Sequence, residues 1–129
     1  MKLIITAGAI IFNEKKQILL VKRPENKKLF PGFWSIPGGK MEENENLTTC
    51  VIREVKEETN LDFLPERNYL FQEYIKDDIH NISHIFMGKY QGKILENDLV
   101  KWFSISDLSE EMLAFDYYQL ICNAVLGLK

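Results

Sequence analysis

The sequence predicts an α/β fold: a mixed central β-sheet with helices on both faces, in one domain spanning 1–129. Three observations predict it. Strand-like runs and two amphipathic stretches follow one another as β-β-β-α-β-β-β-α, the pattern of a sheet packed between helices. A chain of 129 residues suits one core. Hydrophobic residues at 46% and charged residues at 27% exclude a disordered tail, a fibre or a disulfide-dense mini-protein.

The elements follow in order. Leu3 to Phe12 is rich in β-branched residues, with Gly8 interrupting it. Gln17 to Lys22 is a second apolar run, and the polar Asn13-Glu14-Lys15-Lys16 between them predicts a hairpin. Arg23 to Gly39 holds every proline but one, so it is expected to be loop, with a short strand at Phe33-Trp34-Ser35-Ile36. Asn46 to Thr59 reads as a helix. Leu47, Val51 and Val55 form its apolar stripe, Asn46 suits the N-cap, and Asn60 suits a left-handed stop. Tyr69 to Ile75 and Ile82 to Tyr90 are β-rich and expected to pair. Val100 to Ile105 is a short strand candidate, and a short helix is expected from Ser106. Tyr117 to Leu128 is the second amphipathic helix.

Charge and cysteine content narrow the function. A net charge of -3 gives no basic face for sequence-independent nucleic-acid binding, so no stable nucleic-acid complex is expected. Nucleotides stay open, because a metal can hold their phosphates. The two cysteines, Cys50 and Cys122, form neither a disulfide framework nor a zinc-binding spacing. The apolar start of the chain is too short to span a membrane and is followed by no clear cleavage region, so it reads as a core strand. A cytoplasmic location and no membrane partner are expected.

One stretch carries chemistry. On a helix turning about 100° per residue, Glu54, Glu57 and Glu58 share one stripe. Like charges four apart weaken a helix, so the placement has no structural benefit. A hard divalent cation resolves it, since Mg²⁺ takes carboxylate oxygens, water and substrate phosphates. Arg53 lies four residues before Glu57 and can pair with it and orient it.

The spacing itself is informative. Gly39, Glu45, Arg53, Glu54, Glu57 and Glu58, with the aliphatic Val55 and Leu61, fit G-x5-E-x7-R-E-U-x-E-E-x-G-U. At this chain's residue frequencies, the Gly and charged matches arise by chance at roughly 10⁻⁵ per chain. The chain resembles the Nudix hydrolases, and in length their MutT-like group. It departs from the pattern once, with Asn60 at the Gly that ends the helix. Asn can supply the same left-handed cap.

The resemblance implies a Nudix-type α/β/α sandwich that hydrolyses a nucleoside diphosphate linked to a further group. A (d)NTP, canonical or oxidised in its base, would be cut to NMP and pyrophosphate. ADP-ribose or a nucleotide sugar is the alternative substrate. A silent nucleotide-sensing or scaffold domain is the alternative of another class, disfavoured by the complete set of box glutamates. An isoprenoid diphosphate isomerase would need further catalytic residues in a longer chain. The implied roles are Glu54, Glu57, Glu58 and the Gly39 carbonyl as ligands of Mg²⁺ or Mn²⁺. Arg53 would orient a glutamate, Glu45 would steady the loop before the helix, and Glu57 is the first candidate base. Glu96 and Asp98, in a later loop, are alternative bases. Arg23 is a candidate phosphate contact. Phe33 and Trp34 are candidates for stacking on a base, beside their ordinary role in a core. Asp116 is an N-cap candidate that also suits a base contact. The expected partner is a small nucleotide, and a homodimer is compatible with the sequence.

Overall fold

The two strand runs of the predicted hairpin do close on each other, but only at the turn. In the computed structural model, which describes residues 1–128, Phe12 bridges to Ile18 in antiparallel register. The Asn13 side chain accepts the Lys15 and Gln17 N–H groups at 3.0 and 2.9 Å, which fixes the turn. Beyond it the chains part. Strand β1 (Lys2–Ile10) and strand β2 (Ile18–Lys22) enter different sheets. The expectation of a paired hairpin is corrected here. Strand β1 is taken up on both sides by other partners, which frees β2 to pair elsewhere.

Those partners are β4 (Gly38–Lys40) and β6 (Ile79–Gln91). Strand β1 runs antiparallel to β4 and parallel to β6, and β6 pairs antiparallel with β5 (Asp62–Lys76). The order β4-β1-β6-β5 is thus a mixed four-stranded sheet. A smaller antiparallel sheet joins β2 to β3 (Trp34–Ser35) and to β7 (Val100–Phe103). Helix α1 (Leu47–Thr59) and helix α2 (Tyr117–Leu126) complete the fold.

Alternation along the strands divides the core in two. Ala7, Ala9, Leu19, Val21 and Phe86 pack with Cys50, Val51 and Val55 of α1. Their neighbours Ile10, Ile18, Leu20 and Ile85 pack with Tyr117, Leu120, Ile121 and Ala124 of α2. Period-two side chains therefore bury both faces of the strands, with one helix on each face. The α/β/α arrangement expected from the sequence is present.

Other expectations shift in detail. Strand β5 begins at Asp62, well before Tyr69, because Pro65 and the polar residues after it disguise its first half. Pro65 is tolerated because β5 is an edge strand and the register breaks between Pro65 and Arg67. The helix expected from Ser106 is a single 3₁₀ turn, Ile105–Asp107, with another at Glu110–Met112. Helix α2 ends at Leu126. No helix among the described residues is long and apolar enough to cross a membrane.

Helix α1 has the predicted caps. Asn46 Oδ1 accepts the Thr49 N–H at 2.8 Å, and Asn60 lies at φ 68° while its N–H donates to the Lys56 carbonyl at 3.0 Å. Replacing Asn60 should read out this conformation. Asn60→Ala is expected to lower stability by about 1 kcal/mol, because an L-residue with a plain methyl resists the left-handed region. Asn60→Gly should match or exceed the native chain, with both compared by reversible thermal unfolding.

Candidate active site

Helix α1 presents its charged side beside β4, and the closeness of the two depends on glycine. A Cβ on Gly38, whose φ is +156°, would collide with the Ala7 carbonyl across the strand pair. A Cβ on Gly39 would occupy the space of the Glu54 carboxylate. Two glycines thus let the strand edge, β1 and the acidic helix meet without intervening side chains. That need explains why a Gly-Gly pair, a poor strand signal, forms a strand here.

Arg53 stands at the centre of the charged cluster. Its Nε and Nη2 donate to both oxygens of Glu45, at 2.6 and 2.9 Å. Its Nη1 donates to Glu54 at 2.9 Å and to Glu57 at 3.0 Å, with Glu42 at 3.4 Å. Nη2 also reaches the Lys40 carbonyl at 3.1 Å, tying the helix to the end of β4. The pairing of Arg53 with Glu57 read from the spacing is present, within a larger network. Glu45 also accepts the Glu42 N–H at 2.9 Å. These bonds, Arg53 first, hold the Glu45 carboxyl down to about 2.

Glu58 has a different environment. It accepts the Gly38 N–H at 2.7 Å and forms no ion pair among the described residues. Burial pushes its carboxyl up to about 8. Glu54 and Glu57 add to the rise, while the Gly38 hydrogen bond and Lys27 oppose it. Beneath the cluster, the Cys50 thiol donates to the Gly39 carbonyl at 3.6 Å, and burial pushes that thiol up to about 11.

Among the described residues, no three acidic, His or Cys side chains are already gathered as a metal site. Glu54 and Glu57 lie on Arg53, and Glu58 lies on Gly38. The donor set nevertheless fits a hard cation. It consists of carboxylate oxygens and a backbone carbonyl, and the buried Glu58 carboxyl lies near Glu54 without an ion-pair partner among the described residues.

A cleft of about 450 Å³ opens beside this cluster. Glu54, Glu58, Gly38 and Gly39 line one side, with Lys2, Lys22, Arg23, Lys27, Lys28 and Lys40 around it. Arg23 Nε donates to the Leu29 carbonyl at 3.0 Å, and its guanidinium lies 5.3 Å from the centre of the Phe115 ring. A recess shares Thr6, Arg23, Ser35 and Asn81 with the cleft and reaches inward to Phe115 and Tyr117.

The remaining predicted residues are scattered. Phe33 and Trp34 pack against the second core, Trp34 with its ring centre 4.8 Å from that of Phe103, and neither lines the cleft. Glu57 is more exposed than Glu54 and does not line the cleft either. Asp116 occupies the N-cap position of α2, but its side chain makes no capping bond, which corrects the expected cap. It instead borders a small hollow with Phe115, Tyr117 and Asn81. Glu96 and Asp98 are exposed in the loop before β7 and do not line the cleft. Lys2, Lys40, Thr6 and Asn81 escaped the sequence reading, since no linear motif brings them together.

A model of the NUDIX domain matches residues 2–124. The chain belongs to the Nudix family. It is 33% identical over 106 residues to the 8-oxo-dGTP diphosphatase of Buchnera aphidicola, covering 81% of this chain and 78% of that one. It is 34% identical over 128 residues to the m7GpppN-mRNA hydrolase of Saccharomyces cerevisiae, but spans only 13% of that relative's length. The crystal structure of the MutT protein from Methanosarcina mazei superposes with a TM-score of 0.82 at 28% identity, covering 98% of this chain and 96% of that one. The Nudix fold is thus shared with that MutT protein.

The buried Glu58 makes metal-free stability depend on pH. The folded chain keeps this proton up to about 8, whereas an unfolded carboxyl releases it near 4.5. The folded state therefore binds more protons between those values, and stability falls as pH rises through that window. With a chelator present, denaturant melts should show this decline in the native chain and a flatter profile in Glu58→Gln.

Proposed function

We propose that this protein is a metal-dependent pyrophosphohydrolase of nucleoside triphosphates, releasing NMP and pyrophosphate. The carrying observation is the charge of the cleft. In a chain of net charge -3, five lysines and Arg23 surround it, opposite Glu54 and Glu58. None of those lysines forms an ion pair among the described residues, while Lys56 and Lys89 elsewhere do. Such a rim attracts a polyanion and holds it against the carboxylates. ADP-ribose and nucleotide sugars carry two phosphates and would leave the outer lysines without a partner, so a triphosphate is favoured.

Glu54, Glu57, Glu58 and the Gly39 carbonyl would hold Mg²⁺ or Mn²⁺. The ion supplies charge neutralisation and lowers the pKa of attacking water. The chain's own groups do the rest. Arg23, Lys27 and Lys28 bind phosphate oxygens and set the chain of phosphates along the cleft. Arg53 positions Glu54 and Glu57 through hydrogen bonds already formed. Glu57 accepts the proton of the attacking water, and its exposure leaves it open to solvent. Glu45 fixes Arg53 and the turn before α1. Glu96 and Asp98 have less support as bases, because no hydrogen bond or ion pair among the described residues links them to Arg53 or the box glutamates as it does Glu57. The recess beside Arg23 suits the base or sugar, and Asp116 borders the neighbouring small hollow.

Turnover with Mg²⁺ should be measured on canonical and oxidised dNTPs, ADP-ribose, nucleotide sugars and dinucleoside polyphosphates, with products identified by chromatography. NMP and pyrophosphate from a dNTP are expected to dominate. Faster cleavage of ADP-ribose would replace the triphosphate reading. No turnover with retained nucleotide binding would favour a sensor domain. Glu57→Gln should lower kcat by at least about 100-fold with the melting temperature near native. Lys27→Ala combined with Lys28→Ala should raise KM several-fold and weaken its dependence on salt, as expected when phosphate contacts are removed.

A further inference from the structure

We infer that Asn81 selects the nucleotide by its base, using its side-chain amide as a donor to a ring carbonyl. This rests on the nucleotide reading above and adds a specificity residue to it. Asn81 lies on β6, an interior strand with β1 on one side and β5 on the other. Ile79, Asn81, Ser83 and Ile85 alternate onto one face of that strand. Ile85 is fully buried in the core under α2, and Ser83 is buried next out. Asn81 follows, half-buried near the start of α2, and it borders the cleft, the recess and the small hollow alike.

An amide is out of place at such a position on packing grounds. Asn is depleted in strands, and a half-covered interior strand favours Val or Ile. Local rules are broken most often where a ligand needs the side chain. The internal bonding of Asn81 supports a ligand role. Thr6 Oγ1 donates to Asn81 Oδ1 at 3.3 Å, and the Asn81 amide N–H groups have no partner among the described residues. Thr6 on β1 thus occupies the acceptor oxygen and leaves the two donors for the cleft. Phe115 and Tyr117 supply apolar walls nearby for a planar ring. Donors alone discriminate, because a base with a carbonyl at that edge completes a hydrogen bond while one with an amino group leaves both sides unsatisfied.

The test compares guanosine with adenosine nucleotides and uridine with cytidine nucleotides, pairs that exchange a carbonyl for an amino group. Triphosphate turnover is measured with Mg²⁺, and monophosphate binding is measured separately by calorimetry. The native chain should favour the carbonyl member of each pair in both readouts. Asn81→Ala should reduce that preference about tenfold, with the change in KM and Kd more than in kcat. Asn81→Asp, an acceptor in the same shape, should turn the preference toward the amino member. Thr6→Val, which releases the amide without removing it, should weaken the preference partially and checks against a folding defect at Asn81. An unchanged preference in Asn81→Ala, or none in the native chain, overturns the assignment. Absence of turnover alone would count against the hydrolase reading, while the monophosphate titrations would still decide the role of Asn81.

Discussion

The structure depends on how negative charge is crowded around one arginine. Glu42, Glu45, Glu54 and Glu57 all lie within 3.4 Å of Arg53, and Glu58 is buried one position beyond them. A surface ion pair contributes little by itself, but a shared guanidinium with two-point contact to Glu45 fixes geometry as well as charge. Without Arg53, four carboxylates on neighbouring turns would repel one another and splay the helix start from the strand edge. Arg53 also bonds the Lys40 carbonyl, so the same side chain sets the distance between α1 and β4. The two glycines make that distance short. Together they bring the carboxylates of the helix directly against the strand edge.

The neutralisation is incomplete, and its incompleteness is informative. Glu45 is satisfied by Arg53 and the Glu42 N–H, and its carboxyl is correspondingly acidic. Glu58 has a single backbone donor, and its carboxyl moves the opposite way. Neighbouring glutamates with opposed shifts have opposed tasks. Glu45 is a fixed structural anion, whereas Glu58 is costly to ionise until a positive partner arrives. On the proposed function, a bound cation would resolve the unfavourable charges of this stripe.

Much of this was legible in the sequence because it is local. The caps of α1, its apolar stripe and its line of carboxylates all follow from helical spacing, and Asn60 adopts the left-handed geometry expected of it. The box residues are close in sequence, so their proximity needed no tertiary information. What the sequence concealed is non-local. The parallel pairing of β1 with β6 joins residues 2–10 to 79–87, and no linear signal sets that register. The cleft's cations come from β1, β2, β4 and the loop after β2, so Lys2 and Lys40 look like ordinary surface charges. Phe33 and Trp34 stand beside the box in sequence, yet strand pairing sends them into the second core.

This separation of local from non-local features also separates chemistry from choice. The carboxylates and Arg53, proposed to handle what all diphosphates share, sit on one helix and one turn. The groups proposed to meet the rest of a substrate are Thr6, Asn81, Phe115 and Tyr117, which line the recess from β1, β6 and the start of α2. Thr6 pairs in register with Lys40, whose carbonyl accepts Arg53, so the two regions meet at the edge of β1. The box alone therefore points to a reaction class, while the proposed choice of nucleotide rests on the open part of the sheet.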